Sequence, residues 1–185
     1  FAGIGFETTA PTIAAAVLEA QARGIGNFSV LSMHKTMPLA LRALLDLGET
    51  DISGFILPGH VSVVTGSGCY EFLAREYGVG GVVAGFEAHD VIRALQLLVR
   101  QSAPAIEIEY RRAVRPEGNV VARRLMARVF EPGDADWRGL GSIPGSGLRI
   151  REEFAAFDAE RRFTIAAAEP VEPRGCRCGE VLRGV

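Results

Sequence analysis

Short apolar runs alternate along the chain with longer segments whose apolar positions recur every third or fourth residue. Such alternation marks β-α units in a mostly parallel sheet, where doubly covered strands read as continuous apolar runs and the covering helices carry one apolar stripe. It predicts strands over residues 1–6, 28–33, 52–57, 79–86 and 106–110, and helices over 10–23, 37–47, 69–77, 87–101 and 119–130. The punctuation agrees: Thr8 or Thr9 precedes Pro11 in a first helical turn, and Gly24 and Gly48 stand where helices stop. Residues 58–62 read as a turn, 131–147 as a Gly-, Pro- and Asp-rich loop, and 151–161 as a charged helix. The fold class is therefore α/β, with two Rossmann-like β-α repeat units and mostly parallel sheets, followed by a smaller, mainly helical and loop C-terminal segment. Residues 1–50 form the remainder of a first α/β domain, 51–118 a second, and 119–185 the segment that follows.

Two of the predicted strand-to-helix junctions are alike. Gly5-Phe6-Glu7 and Gly85-Phe86-Glu87 each end an apolar run and precede a helical segment. In an open α/β sheet, ligands bind where strands end and helices begin, because loops converge there and helix N-termini offer unpaired N–H groups. Four polar clusters fall at such points: Glu7-Thr8-Thr9, His34-Lys35-Thr36, the His60 and Ser62 of Pro58-Gly59-His60-Val61-Ser62, and Glu87. Singly, each has a plain structural reading, since hydroxyls cap helices and carboxylates complement the positive helix end. Together, Glu7, Thr8, Thr9, His60, Ser62 and Glu87 are the candidates for proton handling and anion binding around one cleft. No dinucleotide or phosphate-loop fingerprint accompanies them: Gly3-Ile4-Gly5 lacks a third glycine, and Thr65-Gly66-Ser67-Gly68 is not followed by Lys-Ser/Thr.

Composition narrows the classes. With 185 residues, 48% of them hydrophobic, the chain has material for a sizeable core. A net charge of −2 gives no field for a nucleic-acid backbone, and no apolar run reaches the roughly 20 residues of a membrane span. The basic pairs Arg111-Arg112, Arg123-Arg124 and Arg161-Arg162 lack the aromatic interleaving of a base-stacking surface, and those on the helix over 119–130 read as a solvated face. Three cysteines are too few and too odd for a secreted disulfide framework, so a reducing, cytoplasmic setting is expected. The chain opens without methionine inside an apolar run, and the expectation is a piece of a longer protein.

Cys176-Arg177-Cys178-Gly179 is the second candidate site. Two thiols one residue apart, followed by a glycine that frees the backbone to turn, suit a soft metal centre. Two thiolates do not complete one: iron–sulfur and structural zinc sites normally take four ligands, and Cys69 alone cannot supply the rest.

Five segments in order, GFETTAP (residues 5–11), PGHVS (58–62), GFE (85–87), YRRAVRPEGN (110–119) and CRCGEVLRG (176–184), make the chain resemble the HypD family of hydrogenase expression/formation proteins over nearly its whole length. The resemblance implies a maturation factor for NiFe hydrogenases, a scaffold on which an Fe(CN)2CO centre is carried as transient cargo. It implies two similar α/β domains plus a C-terminal domain holding a 4Fe-4S cluster, with Cys176 or Cys178 among its ligands and Cys178, directly before Gly179, favoured. It also implies iron and carbon monoxide binding, and as partners a HypC-type small chaperone and a HypE-type cyanide donor. The family's amino-terminal cysteine motifs are expected upstream of Phe1 and its further cluster cysteines downstream of Val185. One local departure is Ala88-His89, where the family has Pro-Leu after the second Gly-Phe-Glu. Beside this scaffold reading stands a second class, an α/β enzyme acting on a small anionic substrate with Glu7, His60 and Glu87 as acid–base groups.

Overall fold

A computed structural model describes residues 1–48, 50–165 and 173–184. The chain is α/β, with parallel strands joined through helices as the sequence pattern requires. Strand β1 (Ala2–Gly5) leads into helix α1 (Ala10–Ala22), which returns to β2 (Leu31–His34), parallel to β1 with Ala2 opposite Leu31 and Gly5 opposite His34. After α2 (Met37–Asp46) comes a second sheet in the order β3 (Gly54–Pro58), β4 (Gly80–Ala84), β5 (Ile106–Ile108), also parallel. Helices α3 (Gly59–Thr65) and α4 (Glu71–Tyr77) connect β3 to β4, and α5 (Ala88–Arg100) connects β4 to β5. β4 is buried along its whole length, as the central strand of a three-stranded sheet should be. No helix among the described residues is long and apolar enough to cross a membrane.

The later part departs from the expected segment of helix and loop. Helix α6 (Val120–Val129), capped by Asn119 Oδ1 accepting the Ala122 N–H at 3.0 Å, runs straight into an antiparallel hairpin of β6 (Phe130–Trp137) and β7 (Gly141–Ile150). Its Gly, Pro and Asp residues hide the strands because the alternation is broken between Gly133 and Ala135, where the register shifts. The helix expected over 151–161 is instead a 3-10 segment (Glu152–Phe157) and α7 (Ala159–Arg162). Asp158 separates them in extended conformation, its Oδ1 accepting the Glu160 N–H at 3.0 Å. The turn expected at 58–62 is the first part of α3, and α8 (Cys178–Arg183) closes the described chain.

The cores redraw the expected boundaries. Ala10, Ala14 and Val17 of α1 pack with Val30, Val129, Phe130, Ile150, Phe154 and Phe157, so residues 119–162 complete the first unit instead of standing apart. Leu41 and Leu45 of α2 pack with Leu57, Tyr70, Leu73, Val83 and Val114, so α2, expected in the first domain, belongs to the core of the second. Main-chain bridges from Val30 to Asp158 and from Lys35 to Gly147 bind the returning segment to β2. The chain thus passes between the two cores twice, and both passages abut the rims where the polar clusters lie.

Candidate functional site

The carboxyl ends of β3 and β4 stand side by side because Pro58 pairs with Ala84. Their close approach requires glycine: a Cβ on Gly59 would lie 2.2 Å from the Ala84 carbonyl oxygen and 2.9 Å from the Tyr110 ring, and one on Gly85 2.0 Å from Asp90 Oδ2. On this rim the exposed His60 ring stacks on Phe86 with centroids 4.3 Å apart and stands 6.4 Å from the Tyr110 ring. Arg112 lies over Tyr110 at 4.3 Å and holds Asp90 in a two-point contact, Nη1 to Oδ1 at 2.8 Å and Nη2 to Oδ2 at 2.6 Å. Asp90 is fully buried, also accepts the Glu87 N–H at 3.3 Å, and is held by Arg112 at a pKa of about 2. The carboxylate of Glu87 itself is largely exposed beside His89, 3.5 Å away. His60, Phe86, Tyr110 and Arg112 therefore bring three separate sequence segments to one aromatic and cationic surface.

At the end of β1 the geometry differs. Gly5 has a φ of +143°, and a Cβ there would stand 2.5 Å from Thr9 Oγ1, so the turn into α1 also demands glycine. Thr8 and Thr9 are exposed, and Thr9 Oγ1 donates to the Phe6 carbonyl at 3.2 Å. Glu7 turns inward, only 3% exposed, and its Oε1 accepts the Met37 N–H at 2.9 Å, tying the first unit to the start of α2. Glu7 Oε2 has no hydrogen-bond partner among the described residues, and burial pushes the carboxyl's pKa up against the opposing pull of the Glu7 and Met37 N–H groups. With Thr36, Thr65, Cys69 and Arg123, Glu7 lines a cavity of about 450 Å³ between the units. Cys69 donates to the Gly66 carbonyl at 3.1 Å, and burial raises its thiol pKa, so it is a poor nucleophile.

The two Gly-Phe-Glu segments are both strand-to-helix turns, yet their glutamates part company. Glu7 lies three residues before α1 and is buried; Glu87 directly precedes α5 and faces solvent. Ser62 is fully buried and donates to Pro58 O at 2.8 Å, so it closes the first turn of α3. His34 is buried against Phe130, its pKa lowered by burial, and is not a surface group. His60 and Glu87 share the rim of the second sheet; neither they nor Thr8 and Thr9 line the cavity at Glu7. Asp90 was missed in the sequence, although it stands three residues after Glu87, the spacing of a reciprocal helix cap; Tyr110 and Arg112 fall in the family-like segment 110–119 without being site candidates, and Arg112, read as part of a basic pair, is instead clamped on Asp90.

Cys176 and Cys178 lie at the turn into α8 and line an open cavity of about 790 Å³ with Lys35, Trp137, Arg138 and Arg183. The two thiols interact, and Cys176 raises the pKa of Cys178 while Arg138 lowers it. Trp137 links this cavity to the first rim, since its ring is 5.9 Å from Phe6 and the Lys35 ammonium lies 5.2 Å over its face. Two soft donors among cations suit a thiophilic, negatively charged centre. Among the described residues no three His, Cys, Asp or Glu side chains are arranged to hold a metal ion by themselves.

The HypD family, described as "Hydrogenase formation hypA family", matches residues 1–185. The chain is 45% identical to the hydrogenase maturation factor HypD of Cupriavidus necator, covering 100% of this chain and 52% of that protein. It is likewise 45% identical to the Azotobacter vinelandii protein of the same name, with 100% and 51% covered, and 42% identical to that of Escherichia coli, with 100% and 50% covered. The chain spans about half the length of these curated relatives.

Proposed function

The chain belongs to the HypD family, and from that premise we propose that it is part of a NiFe-hydrogenase maturation factor, a scaffold for assembly of an Fe(CN)2CO centre. The observation that carries the reading is the meeting of three of the five family-like segments on one rim, through His60, Phe86, Tyr110 and Arg112. Such a surface suits recognition, because Tyr, Phe and Arg are the residues that anchor protein interfaces. A HypC-type chaperone and a HypE-type cyanide donor are the partners it would meet. The iron centre is cargo in this reading, received at the rim that His60 and Glu87 share, while Glu7 lines a separate cavity and the buried Ser62 closes the first turn of α3.

The resident group is a 4Fe-4S cluster, for which the local chemistry is suitable in part. Cys176 and Cys178 supply two neighbouring sulfurs of the four such a cluster takes, in a cavity whose lining includes Lys35, Arg138, Arg177 and Arg183. Cys69 opens onto the other cavity, so it is not a further ligand. Bound there, the cluster would supply one-electron redox chemistry.

The test uses the full-length protein. It should restore hydrogenase activity to a host lacking its own HypD protein and, purified anaerobically, carry iron, acid-labile sulfide and visible absorption. Cys178→Ser should lower all three, and Cys69→Ser should leave them unchanged. Failure of complementation overturns the maturation role; a complete cluster after replacing both Cys176 and Cys178 overturns the ligand assignment.

A further inference from the structure

We propose that the cavity at Glu7, between the two units, is a binding site for a primary alkylammonium group, with the Glu7 carboxylate as its counter-charge. Glu7 is 3% exposed, and only one of its carboxyl oxygens is satisfied: Oε1 accepts the Met37 N–H at 2.9 Å, whereas Oε2 has no hydrogen-bond partner among the described residues. A buried polar atom left unpaired is costly, and native proteins rarely keep one without a use. The cavity that Glu7 lines, about 450 Å³, has room for the missing partner. The Tyr70 hydroxyl, likewise buried and unpartnered among the described residues, does not line it.

The chemistry of the lining selects that partner. Thr36 and Thr65 line the same cavity, and each spends its hydroxyl proton on a main-chain carbonyl: Thr36 Oγ1 donates to Ser146 O at 3.3 Å and Thr65 Oγ1 to Val61 O at 3.2 Å. Cys69 likewise donates to Gly66 O. The polar groups that share the cavity with Glu7 are thus left as acceptors, so the ligand is a donor. The arginines of the lining do not supply one: Arg123 Nη1 donates to Glu117 O at 2.9 Å, Arg151 Nε to Ala127 O and Phe130 O, both at 3.0 Å, and neither reaches Glu7 Oε2. An ammonium carries three donors and a full positive charge, which offsets the cost that burial imposes on the carboxylate. The remaining wall, with Pro38, Leu39, Val64, Met126 and Leu148, is apolar and suits an aliphatic chain. A short alkylamine has both parts, whether free or as the side chain of a lysine.

The experiment is isothermal titration calorimetry of the full-length protein with n-pentylammonium chloride and, as a neutral match of the same length, pentan-1-ol. The ammonium should bind saturably, and the alcohol about tenfold or more weakly, because a buried charge-assisted contact is lost. Glu7→Gln keeps an acceptor for the Met37 N–H but removes the charge, and should weaken the ammonium about tenfold while leaving the alcohol unchanged. Leu39→Trp fills the cavity and spares Glu7, and should abolish binding of both. Nα-acetyl-lysine N-methylamide distinguishes the sources: tighter binding than n-pentylammonium assigns the site to a lysine side chain, weaker binding to a free amine. An ammonium that does not saturate, which leaves a cavity filled by water alone, overturns the inference. So does equal affinity for the alcohol, or undiminished ammonium affinity in Glu7→Gln; should that variant not fold, undiminished affinity in Leu39→Trp has the same force.

Discussion

Gly59→Ala sets tertiary contact against local helix propensity. Gly59 opens α3 with a negative φ, and Ala is favoured over Gly in a helix by about 1 kcal/mol, so propensity alone predicts stabilisation. Tertiary structure predicts the reverse. The added methyl would lie 2.2 Å from the Ala84 carbonyl oxygen, where ordinary contact begins above 3.4 Å, and 2.9 Å from the Tyr110 ring. That carbonyl belongs to β4, buried and paired on both sides, and cannot swing away as a side-chain tip could. Overpacking of this kind costs about 1–3 kcal/mol, and the rigid partner puts Gly59→Ala near the top of that range. Less the helical gain, the net loss should be about 2 kcal/mol. Urea denaturation followed by circular dichroism measures it, with Gly26→Ala as the control, because no atom lies within 4 Å of a Cβ at Gly26. The control should change stability by less than about 0.5 kcal/mol. A Gly59→Ala protein as stable as the control would refute the close approach of β3 and β4 that builds the rim.

Two further outcomes follow from the site. Burial holds the Glu7 carboxyl above its ordinary value of 4.5, so the folded protein keeps that proton more tightly than the unfolded chain. The stability this contributes is complete below that value and is lost as pH rises through the folded one, so Glu7→Gln should gain stability over the wild type as pH is raised from 4.5; a stability difference independent of pH would contradict it. Gly139→Ala, whose Cβ would stand 2.7 Å from the Gly179 nitrogen, should part the hairpin tip from the cysteine turn, seen by mass spectrometry as several-fold faster alkylation of Cys176 and Cys178 in metal-free protein, with Cys69 unchanged.

The segments legible in the sequence are those whose signal is local. The stripe Ala10, Ala14, Val17 with Pro11 in the first turn specifies α1, and the unbroken apolar run of β4 specifies a central strand, because period and punctuation are consequences of one element's own geometry. The doubled Gly-Phe-Glu likewise identified two strand-to-helix turns. The hairpin over residues 130–150 was hidden, since Phe130–Trp137 carries Pro, Gly and Asp where strand residues would be expected and is held as a strand by its partner β7 and by the core that Phe130 and Ile150 enter.

By itself, then, the sequence determined the α/β class, the order of most elements and the family, for these reside in periodicity, capping residues and short ordered segments. Only the tertiary structure decided that α2 joins the second core and residues 119–162 the first, that Glu7 is buried while Glu87 is exposed, and that Arg112 is clamped on Asp90. The reason is range: propensity acts over a few residues, whereas burial and charge depend on which surfaces meet across the chain, and two identical tripeptides took opposite environments once different elements packed against them.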